Sequence, residues 1–269
     1  MSKLRVSIIQ TPLQWEDKTA NLEMLGQKIA AIPEKTELII LPEMFSTGFS
    51  MNKEVLGETM DGPTIKWMKE TAAKKSAILT GSFIAKENHD GRSSFFNRLV
   101  WMLPNGEFGY YDKRHLFAYG KEDQHYNPGQ RRFIASVNGW KINLQICYDL
   151  RFPVWIRQSK ETPQAGSEYD LLVFVANWPQ ARIHAWRTLL TARAIENQCY
   201  VIGVNRTGTD GYGLQYSGES MVLGPLGETI KILGNEPEIF SHTLQREHLE
   251  ETRSKFPFWR DADGFFIQP

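Results

Sequence analysis

Two residues far apart in this chain carry side chains whose settings could support chemistry, a thiol at Cys147 as nucleophile and a carboxylate at Glu43 as general base, and an amine at Lys113 lies between them in sequence. In such chemistry the thiol attacks and the carboxylate takes its proton. Cys147 follows Trp140-Lys141-Ile142-Asn143-Leu144-Gln145-Ile146, where apolar and polar residues alternate. That spacing predicts a strand with one buried face. Tyr148-Asp149-Leu150-Arg151-Phe152-Pro153 then reads as a turn entering a helix, with Pro153 suited to the first turn. At such a corner free backbone N–H groups and the positive end of a helix dipole favour a thiolate and any oxyanion beside it. A buried structural cysteine is the alternative reading.

Glu43 emerges from the short apolar run Leu38-Ile39-Ile40-Leu41-Pro42, a poorly solvating setting that suits a general base. Lys113 lies in Gly109-Tyr110-Tyr111-Asp112-Lys113-Arg114-His115-Leu116-Phe117, between aromatic residues. Taken alone it reads first as a solvated surface charge.

Taken together, Leu41-Pro42-Glu43, Asp112-Lys113-Arg114-His115-Leu116-Phe117 and Cys147-Tyr148-Asp149-Leu150-Arg151-Phe152-Pro153 resemble motifs of the carbon–nitrogen hydrolase (nitrilase) superfamily. Asn177-Trp178-Pro179 and Thr191-Ala192-Arg193-Ala194-Ile195-Glu196-Asn197-Gln198 follow in the same order, and the whole is most similar to the ω-amidase branch. The likeness runs from about Leu4 to about Trp259. It implies an α-β-β-α sandwich of two mixed sheets flanked by helices, a homodimer, and a second glutamate between the lysine and a Pro-Gly. Glu122, ahead of Pro128-Gly129, fills that place; its other reading is a solvated loop acid. The implied substrates are short α-keto acid monoamides such as 2-oxoglutaramate and 2-oxosuccinamate, hydrolysed to the dicarboxylate and ammonia through a cysteine thioester.

That chemistry makes further demands on the chain. The backbone N–H of Tyr148 is the candidate second oxyanion donor, beside Lys113. A substrate with a far carboxylate calls for a cation, and Arg182, just past Asn177-Trp178-Pro179, can grip one at two points. Its alternative is a surface arginine at a helix start. Phe45, Phe117 and Trp178, each near a motif residue, are expected as apolar walls that exclude water. Arg151 is read as pairing with Asp149, with the pocket as its alternative place.

The elements that must position these groups are legible in part. Strand-like runs fall at residues 4–10, 38–41, 77–84, 98–103, 141–147, 171–176, 200–205 and 220–223. Between them, Leu22, Leu25, Ile29 and Ile32 form one apolar stripe on a helix over 18–31, as do Ile65, Met68 and Ala72, and Ile183, Trp186, Leu190 and Ala194. Alternating strands and helices predict an α/β fold with a mixed, largely parallel sheet, and Pro104-Asn105-Gly106 marks a hairpin over 98–111. The glycines of residues 207–213 read as a flexible turn.

At 269 residues with no linker, repeat or low-complexity tract, the chain reads as a single domain over 1–269. Lys plus Arg and Asp plus Glu each number 31, leaving no basic excess for nucleic acid. No apolar run reaches the roughly 18 residues of a membrane span, and no signal-like segment opens the chain, so the expected location is cytoplasmic. Both cysteines, Cys147 and Cys199, are expected free, with Cys199 structural. No metal or nucleotide motif is present, and no cofactor is implied. The rival readings are a nitrilase or other aliphatic amidase using the same residues, a Cys–His hydrolase drawing on His115, His125 or His184, and a non-catalytic metabolite-binding protein. The aromatic stretch Phe256-Pro257-Phe258-Trp259 with Phe265-Phe266 is either partner surface or cover for the chain's own core.

Overall fold

The computed structural model describes residues 2–33, 35–158 and 167–267. Its strands are β1 (Lys3–Gln10), β2 (Leu38–Ile40), β3 (Ile78–His89), β4 (Arg92–Met102), β5 (Phe108–Asp112), β6 (Ile134–Val137) and β7 (Trp140–Ile146), then β8 (Leu171–Ala176), β9 (Tyr200–Asn205), β10 (Thr207–Thr209), β11 (Gln215–Ser217), β12 (Met221–Leu223), β13 (Thr229–Ile232) and β14 (Glu238–Gln245). Two six-stranded sheets result, in the orders β14-β1-β2-β3-β4-β5 and β13-β12-β9-β8-β7-β6.

Period-two alternation puts the two faces of the first sheet in different layers. Leu4, Val6, Ile8, Leu38 and Ile40 join the core shared with the second sheet, whereas Ile9 and Ile39 face outward into a second apolar layer. The helices Lys18–Ala30 and Pro63–Lys75 close that outer layer with Leu25, Ile29, Ile65 and Met68. Asp17 caps the first by accepting the Ala20 N–H, and Pro63 opens the second. On the far side, Ile183–Asn197 lays Trp186, Leu190 and Ala194 on the second sheet. Covered on both faces, β8 is buried at every position. The layers are therefore helix, sheet, sheet, helix, as the resemblance implied.

Among the described strands only β1-β2-β3 and β7-β8-β9 form parallel ladders, beside isolated parallel bridges at Pro12–Thr207 and Glu58–Ala85, so the expectation of largely parallel strands is corrected. The outer strands pair antiparallel. β3 also runs on to His89 and turns back into β4 through Asp90 and Gly91, both left-handed at φ 49° and 76°. Asp-Gly is a favoured pair for that hairpin turn. Residues expected to form a flexible turn instead contribute the short antiparallel ribbon β10–β11.

This topology gathers the chemical groups at one end of the sandwich. Glu43 follows β2, Lys113 follows β5, Cys147 follows β7 and Asn177 follows β8, all beyond carboxyl ends of strands.

Candidate active site

Lys113 is about as buried as any residue in the protein, 1% exposed, and it lies between two carboxylates that are fully enclosed. Its Nζ is 3.0 Å from Glu43 Oε1 and 3.0 and 2.8 Å from the two Glu122 oxygens. Burial alone would push the ammonium down, but Glu122 and Glu43 outweigh it and the net shift is upward. The lysine is thus a permanent cation. Neither the surface-charge reading of Lys113 nor the solvated-loop reading of Glu122 holds.

Counting acceptor sites separates the two glutamates. A carboxylate offers about four lone-pair sites. Glu122 fills them with Lys113 twice, the Asn97 Nδ2 at 3.1 Å and the Phe117 N–H at 2.6 Å. Glu43 receives Lys113, the Asn97 Nδ2 at 2.8 Å and the Asn177 N–H at 2.7 Å, which leaves one site open. Burial pushes the Glu122 carboxyl up, against the pull of Lys113.

Cys147 begins a 3-10 turn, Cys147–Arg151, directly after β7 and has the left-handed φ of 43°. A β-carbon residue in that region carries strain that the surroundings must hold in place. Here the Asp149 side chain accepts the Ile146 N–H at 3.0 Å and closes a loop around the cysteine. Burial pushes the thiol well above its usual range, Glu43 adds to that push and Lys113 opposes it. At neutral pH the sulfur therefore holds its proton beside a carboxylate with a vacant acceptor site. Proton transfer to Glu43 and attack by sulfur are what this arrangement can do.

The thiol opens onto a cavity of about 700 Å³. Tyr148, Phe117, Trp178 and Arg182 all line it. Arg151 lines it too, because Asp149 is occupied by Tyr111, His115 and Ile146 and no Arg151–Asp149 pair forms. Phe45 does not: it is fully buried in the layer between the first sheet and its helices, against Trp67. Met44 takes a left-handed φ of 45°, and Gly81 of β3 leaves the room the Phe45 ring fills, with a β-carbon there meeting it at 2.7 Å. Among the described residues no group of three or more His, Cys, Asp or Glu side chains is placed to hold a metal ion.

Residues 5–254 match the carbon-nitrogen hydrolase family. The chain is 41% identical over 266 residues to the ω-amidase YafV of Escherichia coli K12, spanning 98% of this chain and 99% of that one. The chain belongs to the carbon–nitrogen hydrolase family. It is also similar to a 2-oxoglutaramate amidase of Bacillus subtilis, 29% identical over 96% of this chain and 97% of that one. Among solved structures, XC1258 of Xanthomonas campestris, a CN-hydrolase superfamily protein with an arsenic adduct in its active site, superposes with a TM-score of 0.94 at 42% identity over the full length of both.

Two residues of this carbon–nitrogen hydrolase site escaped the sequence reading. Asn177 was seen only as part of a motif, yet its backbone N–H and its Nδ2, 2.6 Å from the Glu43 carbonyl, fix the glutamate from both ends. Asn97 was not singled out at all. Its one Nδ2 donates to both glutamates, and its carbonyl accepts the Lys113 N–H at 3.0 Å. Asn97→Ala removes two charge-assisted bonds and is expected to lower kcat about 10- to 100-fold with KM nearly constant. Steady-state kinetics of the purified variant checks this, and an unchanged kcat would make Asn97 a spectator.

Proposed function

We propose that this protein is an ω-amidase that hydrolyses the terminal amide of short α-keto acid monoamides, 2-oxoglutaramate and 2-oxosuccinamate, to the dicarboxylate and ammonia. One observation carries the reading: a buried Glu43–Lys113–Glu122 set stands behind a thiol at the floor of a cavity that also holds two arginines without acidic partners among the described residues. The names of the Escherichia coli and Bacillus subtilis relatives support it.

In this scheme Glu43 takes the Cys147 proton as sulfur bonds to the amide carbon. The Lys113 N–H that faced Glu43 turns to the oxyanion once that carboxylate is protonated, and the Tyr148 N–H joins it. Glu43 passes the proton to nitrogen, the carbon–nitrogen bond breaks, ammonia leaves and a thioester remains. Glu43, again a carboxylate, takes a proton from water as it attacks the thioester, and returns that proton to the departing sulfur. Glu122, its acceptor sites filled, orients Lys113 and does not activate water.

Arg182 and Arg151 suit the far carboxylate. The Arg182 guanidinium carbon lies over the Phe117 ring at 5.2 Å and that of Arg151 over Trp178 at 5.0 Å, contacts that hold each cation at the cavity wall through its face rather than its N–H groups. Arg182→Ala is expected to cut kcat/KM for 2-oxoglutaramate about 10- to 100-fold, the worth of one charge-assisted pair. Butyramide, which lacks the carboxylate, should lose less than about three-fold by the same reasoning. Equal losses on both substrates would remove Arg182 from the carboxylate subsite.

The reading includes a cytoplasmic homodimer in which the whole chain acts as one catalytic unit. Val154 and Phe258, 58% and 61% exposed around a shallow cavity, are the apolar surface a second copy would cover. No helix among the described residues is long and apolar enough to cross a membrane. Ammonia release across 2-oxoglutaramate, 2-oxosuccinamate, glutamine, asparagine, aliphatic amides and nitriles tests the substrate assignment. Faster turnover of a nitrile or a simple aliphatic amide than of either keto acid amide would overturn it.

A further inference from the structure

We infer that Asp149 is the positioning residue that sets the Lys113 amine against the Cys147 sulfur, an inference that rests on the roles proposed above for those two groups. Asp149 is fully buried and does not line the cavity, so it meets no substrate. Its two oxygens nevertheless receive four donors. Oδ1 lies 3.0 Å from the His115 N–H and 2.8 Å from His115 Nδ1. Oδ2 accepts the Tyr111 hydroxyl at 2.9 Å and the Ile146 N–H at 3.0 Å.

The identity of those donors matters more than their number. Tyr111 and His115 bracket Lys113 in the chain, two residues to either side, and Ile146 immediately precedes Cys147. Lys113 leaves β5 of one sheet and Cys147 leaves β7 of the other. One carboxylate therefore bolts the lysine segment of the first sheet to the cysteine turn of the second. The joint is extended by Tyr111, whose hydroxyl oxygen also accepts the Arg114 N–H at 3.2 Å and the Trp155 Nε1–H at 3.0 Å. His115 stacks on Phe152 at 3.8 Å and 6° between planes, just beyond the same turn.

A buried carboxylate with all four sites filled is a stiff element, because moving any donor leaves a charge unpaired in a medium of low dielectric. The strained φ of Cys147 also needs such a clamp, since the Ile146 bond closes the loop around it. Asp149 is thus placed to hold the register between cation and nucleophile to a fraction of an ångström, the tolerance on which rate depends.

The test uses the full-length protein in two variants. Asp149→Asn keeps the shape but turns one acceptor into a donor facing donors, and Tyr111→Phe removes one bond and the bridge to Arg114 and Trp155. With 2-oxoglutaramate, kcat per folded molecule is expected to fall about 100-fold in Asp149→Asn, the scale of a 1 Å misplacement, while KM stays within about three-fold. Tyr111→Phe should lose about ten-fold in kcat. In both, alkylation of Cys147 by iodoacetamide should slow, because a displaced Lys113 no longer favours the thiolate.

A residue that only stabilised the turn would behave oppositely: its loss would expose the thiol and leave alkylation unchanged or faster. That result, or wild-type kcat per folded molecule in Asp149→Asn, overturns the inference. Should Asp149→Asn not fold, Tyr111→Phe decides by itself, and wild-type kcat with wild-type alkylation overturns it. The alkylation readout needs no substrate. A wild-type protein inert toward 2-oxoglutaramate would sink the substrate proposal and leave this one still judged.

Discussion

Cys147→Ala is expected to release no measurable ammonia from 2-oxoglutaramate while folding as the wild type does. The alanine leaves Lys113 in contact with Glu43 and Glu122, so the proposed oxyanion donor and base both survive. What disappears is the atom that divides one hard step into two easier ones. Loss of a covalent nucleophile costs other hydrolases about 10⁴-fold or more, even with their remaining machinery intact. The side chain opens onto a cavity, its bond to the Asn177 carbonyl is long at 4.0 Å, and its contact with Glu43 pushes the thiol pKa up, so the melting temperature should barely move. A discontinuous ammonia assay beside a thermal melt separates the two effects. Residual turnover within about 100-fold of wild type would mean that water attacks directly with Glu43 as base, because that loss is far smaller than removal of a covalent nucleophile causes.

Lys113→Met should damage activity and stability together. Methionine fills a similar volume without charge, leaving Glu43 and Glu122, both 0% exposed, with only Asn97 between them. Removing one partner of a buried ionic set costs about 3–5 kcal/mol, because the uncompensated charge stays behind. The catalytic loss should reach about 10²–10³-fold from the missing oxyanion donor alone. The sign of the pH dependence follows from the upward shift of Lys113. A cation favoured by folding stabilises the protein at every pH below its unfolded value and loses that contribution only as pH rises through the folded one. Wild type should therefore keep this advantage over Lys113→Met from neutral pH well into the alkaline range. Denaturant titrations at pH 7 and pH 10 give the comparison, and equal stabilities at pH 7 would show that the buried carboxylates need no cation.

The parts of this site that were legible in the sequence are those where chain order and local pattern coincide with chemistry. Cys147 and Glu43 each end an apolar run, and ending a buried strand is what places a polar side chain at the mouth of a sheet. The central strands read easily for the same reason, since β8 is apolar throughout and β9 is apolar apart from Gly203 and Asn205. β14 stayed hidden because most of its positions are half-buried, so it lacks the contrast that makes alternation visible. Asn97 was invisible for a different reason. It lies within β4 one residue ahead of the strand run legible from Arg98, and its partners Glu43 and Glu122 are 54 and 25 residues away. Phe45 went astray through adjacency: two residues from Glu43 in sequence, it is turned into another layer by the left-handed Met44. Arg151 was assigned to Asp149 because they are neighbours, but a buried carboxylate takes the donors the fold brings it, and these came from β5 and the lysine segment.

The most direct test of the account is the mass of the Cys147 peptide. Wild-type enzyme is mixed with saturating 2-oxoglutaramate, quenched in acid within a single turnover, digested and weighed. A fraction of that peptide should be heavier by the substrate acyl group, its amide nitrogen lost as ammonia, with the Cys199 peptide unmodified. Steady ammonia release with every Cys147 peptide at its native mass, and no hydroxamate formed when hydroxylamine is added to intercept a thioester, would contradict it.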